Sequence, residues 1–400
     1  MRPDLSVNFN GFHCENPFLL SSSCVGANYD MVARAFDMGW AGVVFKTISY
    51  NTNEEVSPRF AFTRRTSNDL TGLKNLEEKA EMHTIKENFA FISKLKKEYP
   101  NKLVVASIIG ANNDEWTTLA RMSEEAGADM LELNFSCPHV ADKEHLGAAV
   151  GEKPELVKEF VSAARAGTSL PIIAKMTVNA THMEEPASAA IEGGANSIST
   201  INTIRCITGI DLDSLVGEPD IHGKSAPGGY SGPAVKPIAL RFIHELATSE
   251  KLKGIPLSGM GGIETWKDAA EFMLMGATTV QVTTGIMIYG YRIIDDLISG
   301  LTEYLISKNI SSISKIIGKG NDLMVESSEL QRGHEIYPVF HTENCIGCGR
   351  CYLSCLDGGH QAIQWDHIKR QPSLNTQKCV GCHLCTNVCP VSSIEFQKDD

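Results

Sequence analysis

The feature that most restricts this chain is a pair of cysteine runs near its C-terminus. Cys345-x-x-Cys348-x-x-Cys351-x-x-x-Cys355 is followed by Cys379-x-x-Cys382-x-x-Cys385-x-x-x-Cys389-Pro390. A C-x2-C-x2-C-x3-C spacing used twice holds two [4Fe–4S] clusters, the fourth cysteine of each run ligating the cluster of the other. One cluster is expected on Cys345, Cys348, Cys351 and Cys389, and the second on Cys379, Cys382, Cys385 and Cys355. The crossed ligands tie the two halves of the segment together. Zinc is the competing reading, but its sites use two C-x-x-C pairs, not a third and fourth cysteine at fixed intervals twice over. Leu356 follows the first run where Pro390 follows the second, which touches the local turn and not the ligand count. Such clusters carry single electrons, so the chain needs something at each end of a wire.

Eight of the twelve cysteines belong to these runs; Cys14, Cys24, Cys137 and Cys206 are scattered. The opening MRPDLSVNFNGFH has no apolar h-region, so a cytoplasmic protein is expected, in which dense cysteines bind metal and do not form disulfides. No apolar run approaches the ~18–20 residues of a membrane span. The net charge of −12 argues against nucleic acid and anionic membrane as partners, since both require basic patches. Small anionic ligands stay open, because backbone dipoles hold them locally.

The first three hundred residues alternate apolar runs with helical stretches. Strands are expected at Pro17–Ser22, Ala41–Thr47, Leu103–Ile109, Met130–Asn134, Pro171–Met176, Ser197–Ile201, Ile255–Ser258 and Thr279–Thr283. Helices are expected at Tyr29–Met38, Thr84–Tyr99, Glu115–Ala126, Glu155–Arg165, Glu184–Glu192, Pro237–Glu250 and Thr265–Met275. Eight strands with intervening helices match a (β/α)8 TIM barrel. An open doubly wound sheet is the alternative, but it carries fewer strands and an early glycine fingerprint that is missing here. The expected organisation is an α/β barrel over residues 1–309, a connector over 310–339 that packs on the barrel, and a small α+β two-cluster domain over 340–400.

Polar residues collect where these strands end, the position of chemistry in barrels. They are Ser21-Ser22-Ser23, Lys46-Thr47, Asn134-Phe-Ser136-Cys137-Pro138, Lys175-Met-Thr177 and Asn202-Thr203. A lysine ending an apolar strand is unfavourable without an anionic or electron-rich partner. Lys46 and Lys175 therefore fit a flavin ring, the competing reading being two lysines snorkelling at the rim. Gly261 and Gly262 after the seventh strand, with Thr283 and Thr284 after the eighth, form a phosphate cradle; a plain tight turn is the alternative at either segment alone. Cys137 is a proton donor if its thiol titrates near the working pH, or else a buried inert cysteine. Asn134, Ser136, Asn202 and Thr203 around it favour the first, since asparagine amides suit a ring of alternating N–H and C=O groups. His139 either tunes that thiol or sits on the surface. Cys14, Cys24 and Cys206 lack such company and read as structural.

Glu132-Leu-Asn-Phe-Ser-Cys-Pro-His139 resembles the active-site loop of the dihydroorotate and dihydropyrimidine dehydrogenases. Val44-Phe-Lys-Thr47, Ala174-Lys-Met-Thr177, Asn202-Thr203 and Ser258-Gly-Met-Gly-Gly-Ile263 match the same group. The ferredoxin-like tail, with Cys-Leu-Asp-Gly-Gly-His-Gln-Ala-Ile after the first run, points to the dihydropyrimidine dehydrogenase branch, and the resemblance covers essentially the whole chain. It implies an FMN barrel that reduces the C5–C6 double bond of uracil or thymine, reversibly, with hydride from flavin N5 to C6 and a proton from Cys137 to C5. It implies that Asn75, Asn134, Asn202 and Thr203 bind the pyrimidine, with Ser136 beside them and Glu77 a looser match. Ser22, Lys46, Thr47 and Lys175 would serve the flavin ring, and Gly261, Gly262, Thr283 and Thr284 its phosphate. In this family the NAD(P)H and FAD sites lie in a region or subunit that this chain lacks. An FAD- and NAD(P)H-binding reductase subunit in a hetero- or homo-oligomer would then feed electrons through the clusters to FMN. Two other readings stand beside this one: a flavin ene-reductase of the same build acting on another cyclic amide or enone, and an electron-transfer subunit with a non-catalytic barrel. The chain departs from its relatives at Val178 and in the loop from Val140 to Gly147.

Overall fold

The computed structural model describes residues 2–50, 56–66, 69–76, 83–136, 148–178 and 181–397, and only the backbone of Asp69. Eight strands recur in its first part: β1 (Phe18–Leu20), β2 (Gly42–Val44), β3 (Leu103–Ile108), β4 (Met130–Asn134), β5 (Ile172–Lys175), β6 (Ser197–Thr200), β7 (Leu257–Met260) and β8 (Ala277–Val282). Each pairs in parallel with the next and β8 pairs with β1, closing the expected barrel. Strands covered on both faces need continuous burial, and Thr278 alone among these strand residues is not fully buried.

Helices form where the chain marks their starts. Asn28 and Asn112 accept hydrogen bonds from Met31 N and Glu115 N at the heads of Tyr29–Asp37 and Asn113–Glu125. Thr84 with Glu87, and Thr265 with Asp268, close capping boxes on Ile85–Glu98 and Trp266–Leu274. The remaining expected helices are Pro154–Gly167, Glu184–Glu192 and Lys236–Thr248. A further long helix, Ile293–Ser307, lies outside the sequence expectations; it buries Ile293, Leu297, Leu301 and Leu305 at four-residue intervals.

Two additions close the ends of the barrel. At the N-terminal mouth, Val7–Phe9 and Phe12–Cys14 form a hairpin that buries Phe9. Its turn residue Asn10 donates Nδ2 to Ser197 Oγ at 2.8 Å, at the start of β6. At the other mouth, strands Ile204–Cys206, Gly228–Ser231, Asp69–Asn75 and Phe60–Thr66 form an antiparallel sheet in that order. It is built from the long connections after β2 and β6, so it stands over the ends where barrel chemistry sits.

The first compact unit runs from Met1 to Met324 and the second from Val325 to Asp400. In the first, Ile313 N donates to Asp4 O at 2.8 Å and Asp4 N to Ser311 O at 3.0 Å, tying the segment after the last helix to the N-terminus. In the second, Pro338–Phe340 pairs with Ile394–Phe396 and Ile363–Asp366 with Gln371–Leu374, beside helices Arg350–Gly358 and Leu384–Asn387. Among the described residues its buried apolar cluster is small, Cys351, Ile363, Cys385 and Ile394, with partly buried side chains such as Phe340 and Leu374 packed against it. A core that small requires a metal or covalent staple to hold a fold. Among the described residues no helix is long and apolar enough to cross a membrane.

Candidate active site and cysteine domain

The ends of the barrel strands and the antiparallel sheet enclose a cavity of about 190 Å³, against about 20 Å³ for each of two cavities in the cysteine domain. It is therefore the place for an organic cofactor and substrate. Ser22, Lys46 and Thr47 line it from β1 and β2, and Asn134 and Lys175 from β4 and β5. Asn202 and Thr203 reach it after β6, Gly261 and Gly262 after β7, and Thr283 and Thr284 after β8. Asn75 joins from the antiparallel sheet. Ser136 is fully buried behind the wall. Cys137, His139 and Glu77 lie outside the described residues.

Hydrogen bonds join these residues into one chain. Ser22 Oγ meets Thr47 Oγ1 at 2.9 Å, and Asn134 Nδ2 donates to the same Thr47 oxygen at 3.1 Å. Asn134 Oδ1 accepts from Ser136 N at 3.2 Å and from Ser136 Oγ at 3.0 Å. Asn202 Nδ2 donates to Ser136 Oγ at 2.9 Å, and Thr203 N donates to Asn202 Oδ1 at 2.7 Å. An amide nitrogen carries two hydrogens, so Asn134 and Asn202 each keep one N–H for a ligand. Asn75 Oδ1 is buried and makes no hydrogen bond. The wall thus offers two amide donors and one amide acceptor.

Below them the barrel interior is polar. Side chains alternate along a strand, and the inward positions include Glu132, Ser199, Ser258, Thr279 and Gln281, all buried. Glu132 Oε2 accepts from Ser199 Oγ at 2.9 Å and from Gln281 Nε2 at 3.0 Å. Lys175 Nζ stands 3.6 Å from Glu132 Oε1, with both side chains almost completely buried. The chain itself thus supplies Lys175 with an anionic partner, while Lys175 also lines the cavity.

At the far end, Gly261 and Gly262 have φ of +125° and +77°, which a side chain opposes. A Cβ on Gly262 would lie 2.7 Å from Gly232 O, so the backbone passes too close to another loop for a side chain. Thr283 Oγ1 meets Ser23 Oγ at 3.0 Å, and Thr284 Oγ1 donates to Ser231 Oγ at 2.9 Å. The helix Thr284–Tyr289 begins here, and its first-turn N–H groups have no acceptor within the helix. Glycine backbone, hydroxyls and amide hydrogens together fit a phosphate. Glu264 lines the same end, with Oε1 buried and unbonded. Burial, reinforced by Asp268, pushes its carboxyl above the usual range, which reduces its charge beside an anion. The cavity therefore joins a phosphate end to a floor with a cation and a free acceptor, Gln281 Oε1, and these residues fit FMN.

In the cysteine domain, one cavity is lined by Cys345, Cys348, Cys351 and Cys389, and the other by Cys355, Cys379, Cys382 and Cys385. Each takes three thiols from one run and the last thiol of the other. Among the described residues no three His, Cys, Asp or Glu side chains are grouped as around a single ion. Backbone amides aim at four of them: Gly347 N at Cys345 (3.4 Å), Ala362 N at Cys355 (3.3 Å), Gly381 N at Cys379 (3.5 Å) and Ser393 N at Cys389 (3.3 Å). Hydrogen bonds of this kind adjust the potential of a cluster's sulfurs.

Other wall residues had no sequence assignment. Phe60, Tyr230 and Ser231 come from the antiparallel sheet, and Gln281 from β8. The alternation of Glu132 with Asn134, and of Thr279 with Gln281, was the available signal for an inward polar face. Cys24 also lines the cavity, so this thiol has company that its sequence neighbours do not reveal. Cys14 is buried, which pushes its thiol up to about 12; Cys206 is raised by burial as well.

Comparison with known proteins agrees with this division. Residues 4–305 match the dihydroorotate dehydrogenase family model, and residues 339–396 match the 4Fe-4S dicluster domain. The chain is 51% identical over 392 residues to the NAD-dependent dihydropyrimidine dehydrogenase subunit PreA of Escherichia coli K12, covering 98% of this chain and 95% of that one. It is 41% identical over 329 residues to the chloroplastic dihydropyrimidine dehydrogenase (NADP(+)) of Arabidopsis thaliana, covering 79% and 76%. The catalytic subunit of dihydroorotate dehydrogenase B (NAD(+)) from Pyrococcus abyssi is 37% identical over 316 residues, covering 78% and 98%.

Proposed function

This chain belongs to the dihydroorotate dehydrogenase family and carries a 4Fe-4S dicluster domain, and from that premise we propose that it reduces the C5–C6 double bond of uracil or thymine. The observation that carries the reading is the polarity of the cavity wall. Asn75 Oδ1 is an acceptor for a ring N–H, while Asn134 and Asn202 each retain one amide N–H for a ring carbonyl. A pyrimidine-dione presents carbonyl acceptors on both sides of an N–H, the complement of that set. Thr203 completes the wall, and Ser136 holds the two asparagines in register. The antiparallel sheet adds Phe60, Leu73 and Tyr230 to this end of the cavity. Cys137 follows Ser136 directly and is assigned as the proton donor to C5.

FMN, when bound, supplies a hydride to C6 and collects its two electrons one at a time. Lys46, Thr47, Ser22 and Lys175 are assigned to its ring, and Gly261, Gly262, Thr283 and Thr284 to its phosphate. The two sets of four thiols are assigned as ligands of two [4Fe–4S] clusters, which carry single electrons. The chain offers no dinucleotide fingerprint of its own, so the electrons come from an FAD- and NAD(P)H-binding partner subunit, which docks on the iron–sulfur side. The PreA relative is itself named as a subunit. On this reading the barrel is the catalytic domain, and the segment from 340 onward is the relay.

The test is anaerobic purification of the chain with flavin and iron counts, followed by assay of uracil and thymine with a dithionite-reduced dye. Flavin-dependent formation of the dihydropyrimidine is expected. Turnover by flavin-free protein, or full-rate turnover of the isolated chain with NADH alone, contradicts the reading.

A further inference from the structure

We infer that Glu132 is a positioning residue that sets the reduction potential of the bound flavin, by cancelling the charge of Lys175 and by fixing the Gln281 amide. The inference rests on the FMN assignment but not on the identity of the substrate.

Glu132 is fully buried inside the barrel, and nothing in the pyrimidine chemistry above uses it. Its two oxygens divide the work. Oε1 faces the Lys175 ammonium at 3.6 Å and makes no hydrogen bond. Oε2 accepts from Ser199 Oγ and from Gln281 Nε2. Gln281 Nε2 also donates to Ser258 Oγ at 3.2 Å, so both hydrogens of that nitrogen are engaged. The amide can then turn only its oxygen to a ligand, and Gln281 Oε1 is indeed without a partner. Lys175 and Gln281 both line the cavity, whereas Glu132 does not. The carboxylate therefore acts through these two side chains and not by contact.

The electrostatic consequence has a definite sign. Reduction of a flavin adds negative charge at the pyrimidine end of its ring, and a nearby cation favours the reduced form. Lys175 alone would raise the potential. With Glu132 beside it the pair is close to neutral, and in a water-poor interior this compensation is felt strongly. A simple packing role predicts no such effect, because Glu132→Gln keeps the volume and one carbonyl acceptor for Ser199.

The test is an anaerobic potentiometric titration of the full chain carrying FMN and its clusters, following the flavin absorbance against a reference dye. Glu132→Gln is expected to shift the reduced-to-oxidised flavin ratio at a fixed dye potential about tenfold toward reduced, ~30 mV for a two-electron couple. Lys175→Gln shifts it the other way. The double variant, which replaces the pair by a neutral one, returns it to near wild type. If Glu132→Gln does not fold, the step from Lys175→Gln to the double variant still isolates the carboxylate and is expected to raise the potential about tenfold in ratio. An unchanged or lowered potential in either comparison overturns the inference. A chain that retains no FMN overturns the flavin assignment on which it rests, whereas a chain that holds FMN but ignores uracil refutes only the substrate.

Discussion

Asn202 Nδ2 donates to Ser136 Oγ at 2.9 Å, across the space between the ends of β6 and β4. The same hydroxyl donates to Asn134 Oδ1, so one serine sets the orientation of both amides. Ser136→Ala removes the bridge and leaves Asn134 held by Thr47 Oγ1 and the backbone N of residue 136, and Asn202 by Thr203 N alone. A net hydrogen bond contributes about 0.5–1.5 kcal/mol, and two are lost. We expect kcat/KM for uracil to fall about tenfold or more, mainly through KM, with flavin content unchanged. Equal kinetics in the variant would remove Ser136 from the site.

Asn75 presents the opposite polarity. Its Oδ1 is buried without a partner, an arrangement that favours a ligand able to donate. Asn75→Leu keeps the bulk and removes the acceptor, and should weaken pyrimidine binding by about 1–3 kcal/mol. Measured by uracil titration of the oxidised protein, an N-methylated uracil that lacks the donor should lose affinity for the wild type but not for the variant. Equal losses in both would place the ring N–H elsewhere.

Glu264 is expected to make binding of the proposed cofactor depend on pH. Burial, with Asp268 nearby, raises its carboxyl above the ordinary 4.5, while Asp268 itself is paired with Lys236 at 2.6 Å. A raised carboxyl is protonated preferentially in the folded chain. The stability it contributes is complete below about 4.5 and is lost as pH rises through the raised value. A charge then appears at the phosphate end, so FMN affinity should fall several-fold over the same window. Glu264→Gln should flatten the difference. Parallel pH profiles for wild type and variant in a fluorescence titration would contradict this.

The crossed arrangement of thiols makes a prediction that iron analysis reads directly. Cys389 belongs to the second run but lines the cavity of the first. Cys389→Ala should lower iron from about eight to about four atoms per chain, and the lost electron paramagnetic resonance signal should match the one lost in Cys345→Ala. Loss of the same signal as in Cys379→Ala would mean uncrossed ligands. Because the apolar core of this domain is so small, removing all iron by chelation should unfold it.

The parts of this molecule that were legible in its sequence share a physical cause. Strands buried on both faces must be short apolar runs, so Leu103–Ile108 and Met130–Asn134 announce themselves. Thiols around a cluster need fixed spacing, and polar residues at the end of a strand, such as Asn134 and Lys175, have few other reasons to be there. The rest depends on contacts between distant positions. Glu132 and Gln281 are 149 residues apart, and a single polar residue inside an apolar run does not reveal its partner. Tyr230 and Ser231 sit in the strand Gly-Gly-Tyr-Ser, whose two glycines carry no strand preference. That strand exists because Asp69–Asn75 and Ile204–Cys206 flank it. The helix Ile293–Ser307 has its buried positions in a segment rich in apolar residues on several faces, which blurs its period.

In the proposed reaction this barrel passes reducing equivalents to a pyrimidine with Cys137 as the acid. The most direct measurement is an anaerobic single turnover: the flavin- and iron-loaded chain is reduced, freed of reductant and mixed with uracil, while flavin absorbance and dihydrouracil are followed together. Reoxidation matched by dihydrouracil is expected in the wild type, slowed by ~10²–10⁴-fold in Cys137→Ala. A flavin that stays reduced in the presence of uracil and thymine, or a Cys137→Ala protein that reoxidises at the wild-type rate, would contradict it.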